Sequence, residues 1–540
     1  MKKIKTIIFI PLIVSLLAIS CQDKLEEYYA SPQKTPNTKI EWMFTYLVTN
    51  ENPSFRPTYW YVFTQYFSTI ANLTHATGFS YNSRGRYEQQ DLYVGDRWAK
   101  LYYRPTLSTY REMQILYSKL DDNMKDGYKL FLELAKVFTI YETQKLTDLF
   151  GDIPFSEAGL LRDPDNQVIY PKFDTQEEIY TWCIDELKAT ADYLDSYDQG
   201  LNQYWVNLLK KQDLLLNGNI DNWKRFVNSM RLRFAIRISE VNQTKADAII
   251  TEVLGNPTKY PIIETNAQNT ALKAQAPDLL TITNRHGDGI LGAFRYFHYS
   301  NNWANGLMYS KMSKIDGIDT IPIDPRVEPL FTKASDGNYR GFDCLWTSAE
   351  EEAMINTEMI SRMDSATFMF NDYIPSSLIT ASEVSFIKAE AYNRGFVAGN
   401  AQTEYENGIR LSIEYYYGVR NGNLNQNPLE LPIEADIVAF LAEPTIAYEA
   451  GTAGLEKIMT QKWIHLGFLQ AEEAYAELRR SKLPQLPADV DDSSPRFKYR
   501  SNRWVYPSSE IAKNPNNYEP YRAIDLPTTK VWWDTKTGDY

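Results

Sequence analysis

The stretch NGNIDNWKRFVNSMRLRFAIR, residues 217–237, decides the fold class. Trp223, Phe226, Val227, Met230 and Phe234 recur at three- and four-residue spacing, the repeat of one helix face, which places Arg231, Arg233 and Arg237 on other faces. Asp221 stands just ahead of the apolar positions and offers a side-chain acceptor for the helix N-terminus. A helix with so broad an apolar stripe must be covered by other helices, and the chain on either side supplies them.

Upstream, Leu130, Leu134, Val137, Phe138, Tyr141, Leu146 and Leu149 mark a helix between Asp126 and Gly151, stopped by Gly151 and Pro154. Thr175 and Glu178 form a capping box ahead of a stripe of Ile179, Trp182, Cys183 and Leu187. Downstream, Thr380 and Glu383 form another before Val384, Ile387 and Ala391. Gly395 ends that helix, and a partner runs from about Glu404 to Gly418, so the two read as an antiparallel hairpin. A further helix begins near Gly454, with a break expected at Gly467, and closes at Arg480 before Pro484. Long stretches rich in Tyr, Asn, Gly and Pro separate the helical blocks, at about 50–96, 257–340 and 484–540. Loops of that length in a folded protein are functional or disordered, and their aromatic content argues against disorder. The expectation is a mainly α protein: one helical scaffold with long irregular loop excursions and few short strands.

The first residues read differently. Lys2, Lys3 and Lys5, an apolar run from Ile7 to Ile19, and Ser20 before Cys21 have the order of a secretory signal. The run is too short to span a bilayer, which takes about 20 residues. Ala18-Ile19-Ser20-Cys21 fits lipoprotein processing, in which Cys21 becomes the first residue and carries the lipid anchor. Residues 1–20 are then a lipoprotein signal peptide, 21–40 a tether and 21–540 a single domain. The remaining cysteines, Cys183 and Cys344, form no disulfide or metal-binding pattern and read as buried thiols. A net charge of −13 argues against nucleic acid as a partner.

Catalytic and cofactor signatures are missing. There is no GxSxG elbow, P-loop or HExxH, and the histidines (His75, His286, His298 and His465) are scattered. Gly287, Gly289 and Gly292 spell GxGxxG, but no buried strand precedes them. Asp163, Asp165 and Asn166 resemble part of a calcium loop without its glycine and closing glutamate, so they read as a turn. No cofactor, metal ligand or catalytic residue is assigned. A glycosidase needs only two carboxylates and stays open as an alternative.

Several segments resemble the SusD/RagB outer-membrane lipoprotein family. Leu149-Phe150-Gly151-Asp152-Ile153-Pro154 is similar to its helix-ending "YGD(I/V)P" turn, and 217–233 to its "DW.KFANSLRLR" helix. Asp324-Pro325-Arg326, Ser382 to Ala391, Gln461-Lys462-Trp463, Arg479-Arg480, Tyr506 to Glu510 and Trp532-Trp533-Asp534 follow in family order. The resemblance implies a SusD-like fold with four tetratricopeptide-like helix pairs under a ligand-binding loop face. It also implies a lipoprotein of the outer membrane, facing the cell exterior, that captures glycans for a SusC-like TonB-dependent transporter without breaking a bond. The same scaffold binding peptides, or serving only to bind protein, is the alternative. Family motifs here are structural: Gly151 ends a helix, Glu390 and Arg394 make contacts between helices, and Trp463 packs.

Ligand residues are therefore sought in the loops. Sugar rings are recognised by flat aromatic faces together with amide, guanidinium or carboxylate groups. Phe294-Arg295-Tyr296-Phe297-His298-Tyr299, followed by Asn301, Asn302 and Trp303, supplies both. From it come the candidates Arg295, Tyr296, Tyr299, Asn301 and Trp303. A second group is Tyr81 and Asn82, with Arg84, Arg86 and Tyr87 close by, and Trp346 could complete a platform. Trp60 and Trp98 sit at helix-like spacing and are expected to be buried.

Overall fold

Ten helices make the frame: α1 (Ile40–Thr49), α2 (Asp122–Phe150), α3 (Gln176–Ser196), α4 (Gln203–Gln212), α5 (Ile220–Arg237), α6 (Gln243–Gly255), α7 (Ala381–Asn393), α8 (Ala401–Asn421), α9 (Gly451–Leu466) and α10 (Ala471–Ser481). They come from a computed structural model that describes residues 38–49, 61–78, 85–160, 167–272, 302–316, 319–371 and 373–540. The expected helix of 454–480 is two, α9 and α10, parted at Gly467 (φ 42°).

The start of α5 shows how sequence sets an element. The Asp213 carboxylate accepts from the backbone N–H groups of Leu215 (3.0 Å), Leu216 (3.0 Å) and Gly218 (2.9 Å), and from the Trp223 indole (2.8 Å). Asn217 (φ 53°) and Gly218 (φ 67°) take left-handed conformations that Asn and Gly tolerate best. Asn219 then caps the helix, accepting from Asn222 N–H at 3.0 Å. The cap is thus Asn219, and not Asp221 as expected, because the turn held by Asp213 brings the chain into helical geometry two residues earlier. Asp221 lies in the first turn, where its charge suits the helix dipole.

Thr175 and Glu178 form the expected capping box. At α7 only half of one forms: Thr380 accepts from Glu383 N–H (3.2 Å), but the Glu383 carboxylate turns to Arg233, accepting from Nε and Nη2 at 2.7 Å each. Gly151 (φ 78°) and Gly395 (φ 74°) end α2 and α7 as the sequence predicts.

Helix α5 packs against α3 and α6, α7 against α8 and α9, and α5 joins the two groups by touching α7. The principal apolar core runs through them from Ile40 to Tyr540. From Leu130 onward α2 is buried almost all round, so polar side chains meet inside the frame. The sequence reading put Arg231, Arg233 and Arg237 away from the apolar face; all three are buried all the same. Their charges are matched inside: Arg237 by Asp148, Glu473 and Glu477, Arg233 by Glu383, and Arg231 by Glu252. Arg480 joins Glu390 (2.7 Å) to Glu477 (2.8 Å), and Lys462 also reaches Glu477 (2.8 Å). Glu390 and Arg394 make the expected contacts between helices, and Trp463 is packed, donating to Thr74 O at 2.9 Å.

The strands among the described residues form two-stranded antiparallel pairs: β1 (Ile153–Pro154) with β2 (Phe173–Asp174), β3 (Thr270–Leu272) with β6 (Ser376–Ile379), and β4 (Ser313–Asp316) with β5 (Asp319–Pro322), where Ser313 faces Pro322. The first excursion is less irregular than expected, since residues 62–74 and 91–95 are helical. Trp98 is buried as expected, while Trp60 lies outside the described residues.

Candidate ligand-binding cleft

The second excursion folds on itself where the chain has two glycines. A Cβ on Gly341 would stand 2.5 Å from Gly306 Cα, and one on Gly306 2.6 Å from Phe342 O, so the two backbones cross at a distance only glycine allows. Hydrogen bonds lock the crossing: Gly306 N–H donates to Phe342 O and Phe342 N–H to Ala304 O, both at 2.7 Å. Asn305 caps the helix Gly306–Lys311, accepting from Met308 N–H at 3.1 Å. The β4–β5 hairpin follows, and the chain returns through 331–346.

These segments enclose an open cleft of about 820 Å³, lined by Tyr309, Tyr339, Trp346, Asn338, Arg340 and Asp343, among others. Tyr309 and Tyr339 rings lie 6.4 Å apart at 37°. Trp346 is half-buried and leans on Phe342, with centroids 5.4 Å apart. Arg340 is held in place by Met359 O (2.7 Å) and Asp336 (3.0 Å). Asn338 N–H and then Arg340 hold the Asp336 carboxyl below its usual range, and burial pushes the Tyr339 phenol up to about 12. The Lys333 ammonium lies 5.7 Å from the Tyr339 ring centroid. Neutral aromatic faces beside fixed donors and acceptors suit hydroxylated rings.

Behind the cleft, Cys344 meets His75 and Asp489, with potential ligand atoms within 4.8 Å of one another. Two guanidiniums, Arg500 and Arg86, already face the Asp489 carboxylate, and Tyr87 donates to it. A divalent ion would confront both guanidiniums, so this group reads as a polar knot in the cleft wall. Burial pushes the Cys344 thiol up to about 12, which keeps it protonated. Cys183 and Cys344 are free and buried, as expected.

The sequence candidates fare unequally. Trp346 lines the cleft. Trp303 does not offer its ring: it is 1% exposed, with the Arg362 guanidinium 3.7 Å from the ring centroid and Phe342 stacked at 6.4 Å and 20°. The sequence offers it as a ligand platform because a flat ring stands beside amide side chains; here Gly78 N–H donates to Trp303 O (2.7 Å) and pins it into the wall. Arg86 and Tyr87 are likewise buried. Tyr81, Asn82, Arg84, Arg295, Tyr296, Tyr299 and Asn301 lie outside the described residues, as do the GxGxxG stretch and Asp163, Asp165 and Asn166. The sequence reading missed Tyr309, Tyr339, Arg340 and Asn338. Asp336-Gly337-Asn338-Tyr339-Arg340-Gly341, a turn signal enclosing a tyrosine and an arginine, was the cue available.

The class defined by this arrangement is a helical scaffold that carries an aromatic, polar-rimmed cleft on its inserted loops. The chain belongs to the SusD-like family described as "Starch-binding associating with outer membrane", whose model matches residues 38–507. Solved structures share the fold. A chitin-binding protein superposes with a TM-score of 0.71 at 23% identity, covering 92% of this chain and 100% of its own. A SusD homolog from Parabacteroides distasonis gives 0.69 at 21%, over 93% and 99%. A chitin-binding SusD homolog from Flavobacterium johnsoniae gives 0.68 at 20%, over 93% and 100%. A comparison with curated protein sequences returns no match.

Proposed function

We propose that this protein is a non-catalytic, cell-surface glycan-capture lipoprotein that hands oligosaccharide to a SusC-like TonB-dependent transporter in the outer membrane. The observation that carries this reading is the cleft: three aromatic side chains (Tyr309, Tyr339 and Trp346) beside Asn338, Arg340 and Asp343 in one opening of about 820 Å³. That volume is in the range of sites that take ligands of a few rings. Two of the similar solved structures are named as chitin-binding, which supports a glycan over a peptide. Lipid on Cys21 and a tether up to residue 40 hold residues 21–540 at the membrane as one unit, facing outward. Binding there raises the ligand concentration at the transporter mouth.

Titration calorimetry against purified polysaccharides, chitin oligosaccharides and peptides tests the reading. Trp346→Ala and Tyr339→Ala should each weaken glycan binding about tenfold, as loss of an aromatic anchor does, and leave the melting temperature nearly unchanged. Peptide binding with no glycan binding would replace the reading, and product release over time from any polysaccharide would make the protein a glycosidase.

A further inference from the structure

A carboxylate that does not itself line the cleft ties together the turn at its edge. Asp336 Oδ1 accepts from Asn338 N–H at 3.1 Å, and Oδ2 accepts from Asn338 Nδ2 at 3.2 Å and from Arg340 Nη2 at 3.0 Å. Gly337, at φ 84°, supplies the left-handed step, and Ala334 N–H closes the turn by donating to Asn338 O at 2.8 Å. The Met359 carbonyl accepts from Arg340 Nη1 at 2.7 Å, so both terminal nitrogens of the guanidinium are anchored. Its remaining N–H groups have no acceptor among the described residues, and Arg340 and Asn338 both line the opening. One side chain outside the cleft therefore sets the position of two groups inside it.

The same contact bears on the charge that a ligand meets. Among the described residues the charged side chains of the lining are Lys333, Arg340 and Asp343. Asp336 offsets Arg340, and Lys333 and Asp343 contribute one charge of each sign, so the opening is close to neutral. After burial, the carboxylates of Glu328 and Asp364 also raise the Tyr339 phenol, which brings negative charge within reach of that ring. An uncharged hydroxyl or carbonyl oxygen can accept from the anchored guanidinium at little cost. A ligand carboxylate or sulfate would give up its water for a cation whose charge Asp336 already matches, beside the exposed Asp343.

We propose that Asp336 is the positioning and specificity-determining residue of the cleft: it holds Arg340 and Asn338 in place and, by matching the arginine charge, makes the cleft select neutral over acidic glycans. The proposal rests on the glycan reading of the cleft, and one arm of its test needs no ligand. In that arm, Asp336→Ala should raise hydrogen–deuterium exchange over residues 335–342 and leave the helices unchanged; unchanged exchange over 335–342 overturns the positioning claim. In the ligand arm, calorimetry compares cellopentaose and chitin pentaose, and any other neutral oligosaccharide that binds, with the same chain oxidised at C6 to the carboxylate. The neutral form should bind at least about threefold tighter, and Asp336→Ala should weaken it about tenfold. Asp336→Asn keeps the size of the side chain and removes its charge. It should bring the two forms about threefold closer in affinity, an effect that fades in about 0.5 M salt, as a merely structural change would not. Melting by circular dichroism should not move for either variant, since Asp336 is exposed. A preference of the unaltered protein for the oxidised form, or a ratio that Asp336→Asn leaves unchanged, overturns the proposal. If neither form of any pair binds, the glycan reading fails and the ligand class with it, while the exchange arm still decides whether Asp336 positions the turn.

Discussion

Replacing Arg237 by Met tests whether the frame is held by charge matched inside it. Arg237 is fully buried and serves three carboxylates: Nη1 donates to Asp148, Nη2 to Glu473, and Nε to Glu477 at 3.3 Å. Met is close in length, so the loss is mainly of charge. Glu477 keeps Lys462 and Arg480, both at 2.8 Å, and Glu473 keeps Arg233 at 3.8 Å. Asp148 keeps only neutral side-chain donors, Tyr180 and the Trp533 indole (2.8 Å). Removing one partner from a buried pair costs about 3–5 kcal/mol, because the other charge is stranded. For a chain of 540 residues the unfolding entropy is about 1 kcal/mol/K, so the melting temperature should fall by about 3–5 °C. The loss should also depend on pH. In the native protein, burial alone would raise Glu473 and Glu477, but their arginine and lysine partners outweigh it and hold both below the usual carboxylate value of 4.5. They therefore contribute stability that is present above 4.5 and is lost as pH falls through their folded values. In the Met variant, Asp148 and Glu473 can escape the penalty by protonating, so their folded values rise and the variant gains relative stability as pH falls. Calorimetry across the range from about pH 7 down to about pH 4.5 should show the gap between the two proteins closing. A drop under about 1 °C, or a gap that does not change with pH, would refute the reasoning.

Other consequences follow from single contacts. Burial, with the charges of Arg326 and Lys462, holds His465 down at about 3, so its imidazole should show no NMR titration between about pH 5 and 8. Because the unfolded chain takes that proton below 6.5, His465 should make stability fall as pH drops from 6.5 toward 3. Gly341→Ala forces a Cβ to within 2.5 Å of Gly306 Cα, which should cost about 1–3 kcal/mol and, by opening the crossing, weaken ligand binding by calorimetry. Cys344, with its thiol up at about 12, should react with iodoacetamide at about pH 8 far more slowly in the native protein than in urea.

What the sequence disclosed was the part of the molecule governed by local rules. Apolar spacing at 223–234 and at 130–149, the Thr175 capping box and the glycines at 151 and 395 are signals carried by residues a few positions apart, and each appears in the structure. The buried arginines escaped because helical periodicity assigns a residue to a face and cannot tell that the opposite face is also covered. Arg237 meets Glu473 and Glu477 across 236 and 240 positions of chain, a pairing that no window reveals. Trp303 shows the same limit from the other side, since its ring is closed off by Arg362 and Phe342, which lie far along the chain.

The family motifs and the cleft thus answer to different physics. The motif around 217–237 supplies Arg233 and Arg237, and the one at 479–480 supplies Arg480; these join α5, α7 and α10 through Glu383, Glu390, Glu473 and Glu477. A substitution there strands a buried charge, so each residue constrains the others. The cleft is placed by backbone instead: the Gly306–Gly341 crossing and its two 2.7 Å hydrogen bonds fix where 331–346 returns, whatever side chains that loop carries. Trp346, Tyr339 and Asn338 project from it without joining any buried ion pair, so a different set could stand there on the same frame. A scaffold built in this way can keep its fold while the loop chemistry changes, which is why fold and family are written in the helices and the ligand chemistry in the loops.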